Sequence, residues 1–151
     1  MSSRTKVGFA LLALLVAACG SDGKMPLISN ARIGQPTGPN AALYFTATGY
    51  GEDDNLISVE TDVAPAAELH ETVMEDGGSM SMRSLPAIAL PASGDLVLEP
   101  GGYHVMLVDV DRLEVGASVK LTLTWEKAGA QTIEAEVVDP SDTMGEMGSD
   151  S

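Results

Sequence analysis

From Leu27 onward, apolar and polar residues alternate in short runs instead of recurring at helical spacing. The segments "LISNARI", "AALYFTATGY", "NLISVETDV", "AELHETVM" and "MSMRSL" come first. "AIALP", "GDLVLEPGG", "YHVMLVDV", "SVKLTLTW" and "TIEAEVV" follow. A period of two places one face of a strand against a core and the other toward water. Turn clusters separate the runs, notably "GEDD" and "EDGGS". Strands spaced by about 8–12 residues with such punctuation predict an all-β sandwich. "DRLEVGASV" offers at most one helical turn, and there is no internal repeat or heptad pattern.

The two ends read differently. "MSSRTKVGFALLALLVAACGSDGK" begins with Arg4 and Lys6 and continues as an apolar run to Ala18, then Cys19. That run is short for a bilayer span and suits the apolar region of a secretory signal. "LVAAC" looks like a bacterial lipobox, in which the cysteine is lipidated and becomes the first mature residue. The expected organisation is a signal peptide over 1–18, a lipidated Cys19 with its tether over 19–26, a sandwich over 27–140, and a disordered tail over 141–151. The tail holds Met144 and Met147. A lipid on Cys19 would hold the chain on a membrane without a transmembrane helix, in the periplasm or cell envelope. It would also occupy the chain's one cysteine, leaving no thiol to oxidise.

Charge narrows the partners. There are 22 acidic and 8 basic residues, a formal net charge of −14. Such a surface repels phosphate backbones, so nucleic acid is not expected as a partner, and it concentrates cations. Enzyme chemistry finds little support: there is no G-x-S-x-G, no paired acids of a glycosidase kind, and no phosphate-cradling glycine loop. A blue-copper electron carrier would need a cysteine thiolate in the sandwich, where none exists.

The candidate chemistry lies with two histidines and eight methionines. On extended strands, His70 shares a face with Thr72 and Met74, Met80 with Met82, and His104 with Met106. Imidazole nitrogen and thioether sulfur together suit a soft, low-charge ion, with Cu(I) foremost. Thioethers need lose no proton to bind. Zinc favours thiolates and imidazoles, and calcium and magnesium favour oxygen. Composition alone leaves a second reading open, in which the methionines fill core gaps and the histidines are hydrogen-bonded core residues.

The stretches "LHETVMEDGGSMSMRSL" and "LEPGGYHVMLVD" closely resemble the PCuAC family of periplasmic copper chaperones. Its pattern is a His, a Met somewhat over ten residues on, and a long gap to a His-x-Met pair. The matching positions are His70, Met82, His104 and Met106. The gap from Met82 to His104 agrees with the family, and that from His70 to Met82 is one residue longer, which an extra glycine in "DGGS" accounts for. Choosing Met80 instead would break the second gap. The resemblance covers most of 28–138. It implies a cupredoxin-like Greek-key β-sandwich holding Cu(I) through two His and two Met. It also implies delivery to the CuA site of cytochrome c oxidase subunit II, alongside Sco-type proteins. Copper scavenging or tolerance, or a structural lipoprotein without metal, are the alternatives.

Overall fold

The computed structural model describes residues 23–143. The expected signal segment 1–18, Cys19, Met144 and Met147 lie outside the described residues. Ten strands follow one another: β1 (Leu27–Gly34), β2 (Ala41–Thr48), β3 (Asp54–Thr61), β4 (Ala66–Met74) and β5 (Met80–Ser84). The second five are β6 (Ile88–Leu90), β7 (Asp95–Leu98), β8 (Tyr103–Val108), β9 (Ser118–Trp125) and β10 (Gly129–Val138). A single turn, α1 (Pro140–Thr143), ends the described chain. Residues 141–143, expected to open the tail, are thus helical; the Asp139 carboxylate caps them by accepting from the Ser141 N–H at 2.9 Å.

All ten strands join one hydrogen-bonded sheet in the order β5-β4-β8-β7-β2-β1-β10-β9-β3-β6. The sheet curls so that its two halves cover a common core, the sandwich expected from the alternation. β2 and β9 show why. In β2, Ala41, Leu43, Phe45 and Ala47 point inward; in β9, Val119, Leu121, Leu123 and Trp125 do. Each fully buried Leu or Phe contributes about 2 kcal/mol. Trp125 keeps its indole satisfied, its Nε1–H donating to Gln131 Oε1 at 3.0 Å.

Two strands depart from clean alternation. β1 slips register against β2 between Ser29 and Arg32, with Asn30 at φ 53°. β3 slips against β9 between Leu56 and Ser58, which lets both Leu56 and Val59 face the core. Bulges of this kind add one residue and flip the phase of the strand beyond them. The start of β3 carries a buried carboxylate, Asp54. It accepts from the N–H groups of Asn55, Lys127 and Ala128 and from the Tyr50 hydroxyl. That clamp ties the β9–β10 turn to the neighbouring strand.

The feature that positions the site is the path from β7 to β8. Both strands lie along β2: Leu98 pairs with Phe45, and Val105 pairs with Leu43. The extra chain between them leaves the ladder as the "EPGG" excursion. Gly101 turns it with φ 83°, a backbone conformation costly for other residues. The Gly102 N–H donates to the Glu99 carbonyl at 3.0 Å, and the Gly102 carbonyl accepts from the Thr72 N–H of β4 at 3.0 Å. β8 then enters between β2 and β4 with His104 as its second residue.

Candidate metal centre

The register of β4 against β8 sets His70 directly opposite His104. Leu69 on β4 and Val105 and Leu107 on β8 face the core. Their neighbours His70, His104 and Met106 therefore share the outer face. The two imidazoles stand edge to face, with centroids 5.5 Å apart and planes at 85°. Both are buried despite lying outside the main core, at 7% and 3% exposure. The Tyr44 ring of β2 stands 6.4 Å from that of His104, and the Arg32 guanidinium lies over the Tyr44 ring.

Each imidazole keeps one buried nitrogen without a partner. On His70, Nε2 donates to Glu68 Oε2 at 2.9 Å, and Ser84 Oγ lies 3.0 Å from the same nitrogen. Beside His104, the backbone carbonyl of Gly102 favours the protonated ring. Among the described residues, His70 Nδ1 and His104 Nε2 are the buried side-chain nitrogens with no partner. A buried polar atom left unpaired costs about 1–3 kcal/mol. A hydrogen bond to one ring nitrogen fixes the tautomer and presents the other as a lone pair. Burial, with the His70 ring alongside, holds the His104 pKa below the usual histidine value, while the Gly102 carbonyl acts the other way. His104 is thus a neutral imidazole near neutral pH.

The methionines surround this pair unequally. Met106 lies two residues beyond His104 on the same face and opposite Glu68. Its sulfur accepts from Asn40 Nδ2 at 3.8 Å, and Asn40 Oδ1 accepts from the Asp109 N–H at 3.2 Å. Met82 pairs with Thr72 and Ser84 with His70, so Met82 sits diagonally from His70 on the same face. Met82 is exposed. Met80 is two residues further away, opposite Met74. The four positions His70, Met82, His104 and Met106 therefore occupy neighbouring places on one face of β5, β4 and β8. Exposure is divided among them: the imidazoles are buried and Met82 is open to solvent.

Among the described residues, no three His, Cys, Asp or Glu side chains gather as a metal cluster. An ion at the imidazole pair would complete its shell with sulfur or solvent. Sequence reasoning did not pick out Glu68, Ser84, Asn40 or Tyr44. Only Glu68 carried a local signal, standing two residues before His70 and hence on its face.

Residues 27–137 match the family described as "Putative lipoprotein LpqE-like". A curated relative, "Putative lipoprotein Lxx21020" of Leifsonia xyli subsp. xyli, is 28% identical over 85 residues. The match takes in 56% of this chain and 51% of that protein, so the chain spans about half the length of this relative. Among solved structures, the copper-bound PCuAC domain from PmoF2 is 30% identical with a TM-score of 0.64, over 75% of this chain and 92% of that one. The Cu(I) form of DR1885 from Deinococcus radiodurans is 27% identical with a TM-score of 0.61, over 84% and 85% of the two chains. The shared architecture is the curled, cupredoxin-like sandwich.

Proposed function

The chain belongs to the LpqE-like lipoprotein family, with PCuAC copper-binding domains as its structural neighbours, and on that premise we propose that it is a copper chaperone of the cell envelope. It binds Cu(I) between His70 Nδ1 and His104 Nε2, with Met82 and Met106 as thioether ligands. It changes no bond in a substrate; its cargo is the ion. A lipid on Cys19 holds it at the membrane, and the recipient is the CuA site of cytochrome c oxidase subunit II, with Sco-type proteins sharing the task.

The observation that carries this reading is the pair of idle, buried nitrogens on two facing imidazoles. Metal–nitrogen bonds run to about 2 Å, so an ion bonded to both rings stands about 3 Å from each centroid. Centroids 5.5 Å apart then suit a bent arrangement, which leaves room for sulfur. Neutral imidazole and thioether add no charge, which matches a monovalent soft ion better than a divalent hard one. Burial of the imidazoles restrains their orientation, and the exposed Met82 offers a ligand that an incoming acceptor can displace.

Competition with bathocuproine under anaerobic conditions tests the binding step. The expected result is one tightly held Cu(I), lost in the His70→Ala, His104→Ala double variant. Equal affinity in wild type and double variant would end the proposal. Mixing the Cu(I)-loaded chain with a reduced, copper-free soluble CuA domain tests delivery: if the chain donates, one-electron oxidation of the separated CuA domain with ferricyanide develops the purple mixed-valence absorption. Retention of copper by the chain would replace delivery with scavenging or tolerance.

A further inference from the structure

The β4–β5 hairpin carries more thioether than the centre at the imidazoles uses. Met74 and Met80 are direct register partners at its far end. They are 72% and 64% exposed, and Met82 is 60% exposed. Core packing does not account for them, since the core lies behind the opposite face, at Leu69.

Backbone hydrogen bonds show how closely this pair sits. The Leu69 carbonyl accepts from the Leu85 N–H, and the Glu75 N–H donates to the Ser79 carbonyl. Odd-numbered residues of β4 thus turn their backbone groups toward β5, while Thr72 turns its N–H toward β8. His70–Ser84, Thr72–Met82 and Met74–Met80 are therefore the non-hydrogen-bonded rungs, where facing side chains stand closest, with Cβ atoms about 4.5–5.5 Å apart. All three rungs present their side chains on the face that holds His104. From the tip inward the order is Met74 with Met80, then Met82, then the imidazole pair. Glu75 and Asp76 follow Met74 directly and place negative charge at the tip, on a chain already at −14.

We propose that Met74 and Met80 form a second, weaker Cu(I) site, a thioether station at which the ion exchanges with the outside before or after it rests at His70 and His104. This rests on the Cu(I) reading of the imidazole centre. Two neutral sulfurs bind a soft monovalent ion with no proton released and no change of oxidation state. Lacking imidazole, the station holds the ion more loosely than the inner centre. Its exposure lets a donor or acceptor reach it. Met82, one rung in, lies on the step between the two sites.

The test follows the methyl signals of ¹³C-labelled methionines in the full mature chain during anaerobic titration with Cu(I). The first equivalent is expected to move Met82 and Met106, together with the ring signals of His70 and His104. The second is expected to move Met74 and Met80, in fast exchange and to saturation. In the Met74→Leu, Met80→Leu variant the second equivalent disappears, the first binds as tightly as before, and uptake from a Cu(I)–glutathione donor slows. Both substitutions lie on an exposed face, and an unchanged amide spectrum verifies the fold. If Met74 and Met80 stay still through both equivalents, or the second equivalent moves only Met144 and Met147, the station is overturned and the imidazole centre stands. Copper that moves Met74 and Met80 while leaving both imidazoles untouched overturns the inner centre and with it the two-site relay. Absence of any binding removes both.

Discussion

Glu68 Oε2 lies 2.9 Å from Nε2 of His70, two residues along the same strand and on the same outer face. This carboxylate is the partner that leaves Nδ1 as the free nitrogen of His70. Glu68 also pairs in register with Met106. One residue thus orients an imidazole and borders a thioether of the proposed centre.

Removing that carboxylate tests its role. Glu68→Ala frees the His70 ring to rotate and to protonate at either nitrogen. Loss of such an outer partner usually costs about 10–100-fold in metal affinity. The expected outcome is a fall of that size in bathocuproine competition, with the apo melting temperature little changed because the Glu68 side chain is half exposed. Unaltered affinity would show that Ser84, 3.0 Å from the same nitrogen, orients the ring without help.

The choice between Met80 and Met82 is settled by near-isosteric replacement. Met→Leu keeps volume and apolar character, so the fold should lose less than about 1.5 kcal/mol. Met82→Leu is expected to weaken the first Cu(I) equivalent by at least about tenfold. Met80→Leu is expected to leave that equivalent unchanged, because Met80 faces Met74, two rungs from the imidazole pair. The reverse result would shift the ligand assignment to Met80.

The strands were legible where one face is buried along the whole run. β2 and β9 alternate without a break, and their inward residues could be named from period alone. β1 and β3 were legible as strands but not in phase, because a register slip at 29–32 or 56–58 answers to the partner strand and leaves no mark in local composition. The glycines of "EPGG" signalled a turn. That β7 and β8 both run along β2 on either side of it depends on pairings far away in sequence. The same holds for the site. His104 and Met106 share a face by the rule of two, and spacing matched to a family suggested their partners. The direct opposition of His70 and His104 is a matter of tertiary register. Asn40 reaches Met106 across 66 positions, and no local pattern encodes that contact.

Gly49 is a position where backbone packing leaves no room for a side chain. A Cβ there would meet the Pro91 carbonyl oxygen at 2.2 Å and the Ala92 oxygen at 2.6 Å. Its N–H donates to the Gly94 carbonyl at 2.8 Å, so the approach is part of the hydrogen bonding of the β6–β7 loop. Forcing a methyl into packed backbone costs about 1–3 kcal/mol. Gly49→Ala is expected to lower Tm by several degrees in thermal denaturation. The copper affinity of the folded fraction should be unchanged, since the loop lies outside the β5, β4 and β8 face.

Asp54 gives a pH signature. Burial alone would raise its pKa, but hydrogen bonds from Ala128, Lys127, Tyr50 and Asn55 outweigh burial and hold it below the ordinary carboxylate value. A carboxyl whose folded pKa is depressed contributes stability above its unfolded pKa, near 3.9. That contribution is lost as pH falls below about 4 and through the lower folded value. Asp54→Asn replaces one accepting oxygen with an N–H₂ group that faces donors. It is expected to cost about 2–3 kcal/mol at pH 7. Urea unfolding of both proteins from pH 7 down to about pH 3 checks the sign: the gap between wild type and variant should stay constant to about pH 5 and shrink below about pH 4. A gap that widens on acidification would mean that the carboxyl is protonated in the folded chain and that the clamp between β3 and the β9–β10 turn works without charge.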